Sequence, residues 1–335
     1  MGHQMEFGLY VNPQFPDDTP LPAATENMAA QVRAAREAGF SSIIAPHHYL
    51  TQPLRMFQAN ILLARLAAEA GNMRMGPGVW LLGMTNPVQV AEESATLDWI
   101  CNGGYILAVG LGYREAEFEA FGANFRQRAA RMTEAIEVVR RLWSEERVSH
   151  KGQFFQLTDV GASVRPRNGS SLPLWIGASV EPAIRRAARV ADAWLSSPSA
   201  DWQQLERNYR IYDEERAAAG LEPATEKPMI RECFVATTAE QAMAIAREPL
   251  IYKYSAYASW GNANVAGRPF REAFDDFQAA RFIIGDKAMV KDRVQWLNEK
   301  LGVNHLVVRL QWPGLAQKDV LKAIDLIGEI KGELK

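Results

Sequence analysis

Short blocks of consecutive apolar residues alternate with longer stretches whose apolar residues recur every three or four positions. This is the pattern of buried parallel strands followed by amphipathic helices. In the first half it predicts strands at 5–12, 41–46, 73–82 and 104–110, followed in turn by helices at 23–38, 57–71, 86–102 and 124–145. The second half continues with strands at 172–178, 192–197, 229–237 and 305–311, and helices at 180–190, 201–219, 287–301 and 318–331. Eight strand-helix pairs are the count of a closed (β/α)8 TIM barrel, an α/β fold held in a single domain. A barrel of this kind has a packed centre and places its ligand at the carboxyl ends of the strands.

Two stretches exceed what a minimal barrel needs. Residues 146–171 read as a short β excursion followed by a polar linker rich in Pro, Gly and Asn. Residues 249–285, after the seventh strand, gather Tyr252, Tyr254, Tyr257 and Trp260 near Gly261 and Gly267. Long insertions in compact domains serve as active-site lids or pack as surface loops on their own aromatics or on a second subunit, and the pattern leaves both open.

The chain of 335 residues carries 37 basic and 39 acidic residues with no long run of one sign, which gives no electrostatic case for nucleic acid or an anionic membrane. A small neutral or weakly charged substrate fits better. Cys101 and Cys233 stand far apart without a CxxC or a paired Cys/His spacing, so no disulfide framework or metal site is expected and the compartment is read as reducing. No apolar run is long enough for a membrane span, and the opening MGHQ lacks the apolar core of a signal peptide, so the expected location is the cytoplasm.

The candidate chemistry lies at strand ends. His47 and His48 follow the strand at 41–46, where an imidazole can exchange a proton near neutral pH. Gly76 and Gly78 interrupt a core strand, which points to a backbone bend or a close-lying ligand; the alternative is room for Trp80. Gly177-Ala178-Ser179-Val180-Glu181-Pro182 leads from a strand into a helix, with Ser179 in the N-cap position, and a helix start of this kind suits an anion as well as a simple cap. Gly110-Leu111-Gly112-Tyr113 is an incomplete G-x-G-x-x-G with no helix starting there, so no nicotinamide dinucleotide site is expected. Tyr113 either lines a pocket or packs beneath Phe118 and Phe121. Glu117 and Glu119 read as a solvated face, and Trp312 either closes a pocket wall or packs in the core.

The order of motifs resembles the bacterial luciferase-like family of flavin-dependent monooxygenases. It runs through Phe7-Gly8, Ala38-Gly39-Phe40, His47-His48, Gly76-Pro77-Gly78-Val79, Asn86-Pro87-Val88, Arg131-Met132-Thr133-Glu134, the block from Pro173 to Ser179, and Ala191-Asp192-Ala193-Trp194. The resemblance implies a barrel that takes reduced FMN from a separate NAD(P)H:flavin reductase and uses it with O2 on a small organic substrate. A deazaflavin-dependent hydride transfer and a non-catalytic flavin-binding protein are the alternatives, and a homo-oligomer, dimer or tetramer, is implied. It places His47 near the reactive edge of the flavin, although Pro46 stands where the family motif usually has Glu. A non-proline cis peptide at Gly78-Val79 would lie under the ring. The phosphate would sit at Gly177, Ala178, Ser179 and Val180, and Tyr113 would line the pocket. Some relatives meet the phosphate with an Arg after strand 4; this chain has Leu111, so Ser179, nearby amides or Arg114 would take that role.

Overall fold

The apolar blocks become short, fully buried strands because both of their faces are covered, one by the barrel interior and one by helices. The computed structural model describes residues 4–169, 172–260 and 269–334. The barrel strands are β1 (Glu6–Tyr10), β2 (Ser42–Ala45), β3 (Arg74–Pro77), β4 (Leu107–Gly110), β5 (Leu174–Ala178), β6 (Ala193–Ser196), β7 (Pro228–Val235) and β8 (His305–Arg309). All pair in parallel, in the order β3-β2-β1-β8-β7-β6-β5-β4. The ring is completed between β3 and β4 by a bridge from Met75 to Tyr105 and by the two-residue strand Trp80–Leu81, which pairs with Val109 and Gly110.

The expected strand at 73–82 is therefore broken in the middle, at a cis peptide between Gly78 and Val79. Tyr10 Oη donates to the Gly78 carbonyl at 2.8 Å. A Cβ at residue 78 would lie 2.4 Å from Ile44 Cγ2, so the glycine answers a steric demand from the neighbouring strand rather than from Trp80.

The helices are α1 (Leu21–Glu37), α2 (Ala59–Ala70), α3 (Pro87–Ile100), α4 (Glu115–Ala120), α5 (Arg128–Ser144), α6 (Glu181–Val190), α7 (Trp202–Ala218), α8 (Ala239–Ser259), α9 (Phe270–Ala279), α10 (Lys287–Leu301) and α11 (Gln317–Glu333). Their starts follow local chemistry. Asn86 caps α3 by accepting from Val88 N at 2.9 Å ahead of Pro87, and Asp201 with Gln204 forms a capping box on α7.

The β excursion is present as an antiparallel pair, Val148–Lys151 with Gln156–Val160. Glu134 of α5 fixes its turn by accepting from the backbone N–H groups of Gln153, Phe154 and Phe155 at 2.8–3.1 Å. The stretch at 249–285, inserted between β7 and α10, is built largely of regular elements. Most of it is helical: α8 begins directly after β7, α9 follows, and Ile283–Gly285 adds in parallel to Cys233–Val235. Tyr254, Phe270, Phe277 and Phe282 pack ring on ring at 4.9–5.6 Å, so these aromatics form core. Pro249 sits inside α8 and hides the helix from pattern reading, because it removes a backbone donor. Gly261 and Gly267 lie outside the described residues.

Candidate active site

A cavity of about 360 Å³ opens at the carboxyl ends of the strands. His47, Gly78, Val79, Tyr113, Gly177, Ala178, Ser179 and Val180, the residues singled out from sequence, all line it. Val79 is wedged against β4 and β5, where a Cβ at Gly110 or Gly177 would lie 2.4 and 2.8 Å from its methyl groups. The two glycines thus exist to let this side chain into the floor of the cavity.

His47 is 5% exposed. Its Nε2 is 3.0 Å from Tyr49 Oη, its ring stands edge-on to Trp80, and its Nδ1 has no partner in hydrogen-bonding geometry. Burial, with a smaller contribution from adjacent His48, pushes its pKa down to about 4, so at neutral pH this imidazole is uncharged. His48 lines the same cavity as His47. The pair lies beyond the end of β2, where the alternation of a strand no longer holds.

His48 Nδ1 is 3.1 Å from Glu117 Oε1, which also accepts from Tyr49 N at 2.8 Å. Glu117 is fully buried, contrary to the solvated face expected of it, because α4 folds down over the loop that carries the histidines. Burial alone would raise its pKa, but the hydrogen bond and charge of His48, the Tyr49 amide and Arg114 outweigh that and hold the carboxyl below its usual range.

Arg114 is not part of the cavity lining. Its guanidinium donates to the Tyr49 and Leu50 carbonyls at 2.5 and 2.8 Å and stacks over Trp260, so it clamps the histidine loop. Arg128, at the start of α5, lines the cavity instead. Its Nη1 donates to Phe125 O at 2.8 Å and its Nε has no partner. Nothing in its sequence context distinguishes it from a solvent-facing helix residue.

Ser179 is exposed and is not the N-cap of α6. Val180 holds that position, its carbonyl accepting from Ala183 N and Ile184 N at 3.0 Å, so the helix starts one residue later than expected. Trp312 is fully buried, packs on Phe234 and donates to Glu232, so of its two readings core packing holds.

The inner wall holds a group that pattern reading missed. Arg309, 4% exposed at the end of β8, lines the cavity beside Tyr10 and Ile230, with its guanidinium 4.0 Å from the Tyr10 ring centre. Its Nη1 donates to Glu232 Oε1 at 2.9 Å; Glu232 also pairs with buried Lys253 and accepts from Tyr254 Oη at 3.1 Å.

A strand-end cavity with apolar walls, a cis peptide in its floor and an uncharged histidine at its rim is the architecture of a ligand-binding TIM barrel. The chain belongs to the luciferase-like monooxygenase family, whose model matches residues 5–305. It is 31% identical over 170 residues to the F420-dependent glucose-6-phosphate dehydrogenase of Kineococcus radiotolerans, covering 48% of this chain and 49% of that protein. The chain spans about half the length of the curated relatives it matches. Its fold matches that of monooxygenase RslO1 from Streptomyces bottropensis with a TM-score of 0.84 and 23% identity, over 97% of this chain and 98% of that one. It matches the oxygenating constituent of 3,6-diketocamphane monooxygenase from Pseudomonas putida, a type II Baeyer-Villiger monooxygenase in complex with FMN, with a TM-score of 0.78 and 19% identity over 100% and 99% of the two chains. Among the described residues no helix is long and apolar enough to cross a membrane.

Proposed function

We propose that this protein is a monooxygenase that uses reduced FMN and O2 to oxidise a small organic substrate, with the reduced flavin delivered by a separate reductase. The observation that carries the reading is the meeting of residues from five separate strand ends and loops, His47, Val79, Tyr113, Ser179 and Arg309, around one cavity. The cavity suits the cofactor. Its walls are apolar at Leu81, Leu111, Leu195 and Ile230, as a flat ring requires, and Arg128 with an unpartnered Nε shares it with Ser179 and Val180, as a phosphate requires.

In this reading Arg128, Ser179 and Val180 hold the phosphate, Gly78 and Val79 support the ring, and Tyr113 closes one wall. Bound reduced FMN supplies the two electrons with which O2 is activated. The chain's own part is to position, to exclude water and to manage protons. Neutral His47 holds a proton on one ring nitrogen and accepts one on the other, with Tyr49 in contact at Nε2. The Glu117-Arg114 clamp keeps that loop in place.

A second reading, deazaflavin-dependent hydride transfer, is favoured by the F420-dependent relative. There the neutral imidazole of His47 would accept the proton of a substrate alcohol. Anaerobic titration with reduced FMN and with F420, followed by O2-electrode traces on admitting air, separates the two. Substrate-dependent O2 uptake with FMN supports the first, selective retention of F420 without O2 uptake supports the second, and binding of neither cofactor overturns both.

A further inference from the structure

One charged group of the cavity wall holds neither the phosphate nor a transferred proton in the proposed reaction: Arg309. Arg309, Lys253 and Glu232 form a buried cluster of two basic side chains around one carboxylate. The neighbours that face it are Tyr10, Tyr254 and Tyr257, held in their neutral phenol form by burial, and Gln14, hydrogen-bonded to Tyr257 at 3.0 Å. Among the described residues Glu232 is the only carboxylate paired with either cation. A guanidinium has five N–H donors. Here Nη1 is taken by Glu232, whereas Nε is buried without a partner, and the side chain forms part of the cavity wall. A buried cation with open donors is stabilised by an acceptor that carries negative charge.

We propose that Arg309 is a second anion-binding group, on the inner wall of this cavity, and takes a negatively charged oxygen from what binds there. Glu232 positions the guanidinium and also pairs with Lys253, whose pKa burial and the charge of Arg309 push down to about 7, so with Lys253 protonated the cluster carries one spare positive charge, which Arg309 presents at the cavity wall. Two sources offer that oxygen: the carboxylate of an organic-acid substrate, or, if the proposed cofactor reading holds, the C2 carbonyl of the reduced FMN ring, which shares the negative charge left when the adjacent N1 loses its proton near neutral pH. The second source rests on the proposed function and the first does not.

The test uses the full chain and its Arg309→Met and Arg309→Lys variants, each checked for a native unfolding transition. Affinities are measured by calorimetry for benzoate and its neutral analogue benzamide, and anaerobically for reduced and oxidised FMN. If a carboxylate is the ligand, the wild type prefers benzoate over benzamide and Arg309→Met loses that preference by about tenfold or more. If the flavin ring is the source, Arg309→Met loses the preference for reduced over oxidised FMN by a similar factor and treats benzoate as the wild type does. Absence of both preferences in the wild type, or their persistence in folded Arg309→Met, overturns the proposal. Should Arg309→Met fail to fold, Arg309→Lys, which keeps the charge opposite Glu232 but lacks the planar fork, decides the matter: an unchanged preference overturns it and a reduced one supports it. A wild type that binds no FMN yet discriminates benzoate from benzamide refutes the cofactor reading and leaves the role of Arg309 standing.

Discussion

Lowering the pH from 7 to 5 is expected to remove about 2 kcal/mol of folding stability through His47 alone. The imidazole titrates at its ordinary value of 6.5 in the unfolded chain, whereas in the fold burial holds its pKa down to about 4. Between those values the unfolded chain binds a proton that the native protein refuses, so stability falls as the pH falls. The loss begins near 6.5 and is complete only below about 4. At 1.36 kcal/mol per pH unit the whole window is worth about 3 kcal/mol, and the larger part of it is gone by pH 5. Urea unfolding of the wild type and of His47→Gln at pH 7 and pH 5 isolates this contribution, because other titrating groups cancel in the double difference. The wild type should lose about 2 kcal/mol more than the variant on acidification. Equal losses would refute the reasoning, since they would mean that folded His47 takes up its proton as readily as the unfolded chain does. The same low pKa fixes its chemistry: at pH 7 the group is a neutral donor and acceptor, never a resident cation.

Substitution of His47 by Gln should slow product formation per flavin-loaded molecule by about a hundredfold or more while flavin is retained, and His48→Gln should slow it less; turnover normalised to bound flavin measures both. Ser179→Ala should leave the unfolding midpoint unchanged, because Val180 and not Ser179 starts α6, and should weaken FMN binding more than riboflavin binding; parallel losses for the two ligands would remove Ser179 from the phosphate site. Glu117→Leu strands buried Arg114 and unties His48 and the Tyr49 amide, so denaturant unfolding should record a loss of about 3 kcal/mol or more. Gly110→Ala places a methyl 2.4 Å from Val79 Cγ2 and should destabilise by about 1–3 kcal/mol, with much of the loss restored in the Gly110→Ala/Val79→Ala double variant, as measured by urea unfolding.

The strands and most of the helices were legible in the order of residues because burial repeats locally: two covered faces make an apolar block, and one covered face makes a stripe every three to four positions. The luciferase-like motifs were legible for a related reason. Gly78, Gly110 and Gly177 answer to the contacts of Ile44 and Val79 at β3, β4 and β5, where a Cβ would lie 2.4–2.8 Å from those side chains. Tertiary structure alone decided what depends on neighbours distant in sequence. Glu117 is buried because α4, a helix of six residues too short to carry a periodic signature, folds over the loop of His48. The helix α8 was obscured by Pro249, and its Tyr254 became core only when α9 and Phe282 closed on it. The start of α6 was misplaced by one residue because Ser179 is a good cap in isolation, whereas the carbonyl that opens the helix belongs to Val180. Arg309 meets Glu232 across 77 positions and Glu232 meets Lys253 across 21. No local period encodes such a meeting, since it arises only where β7, β8 and α8 are brought side by side.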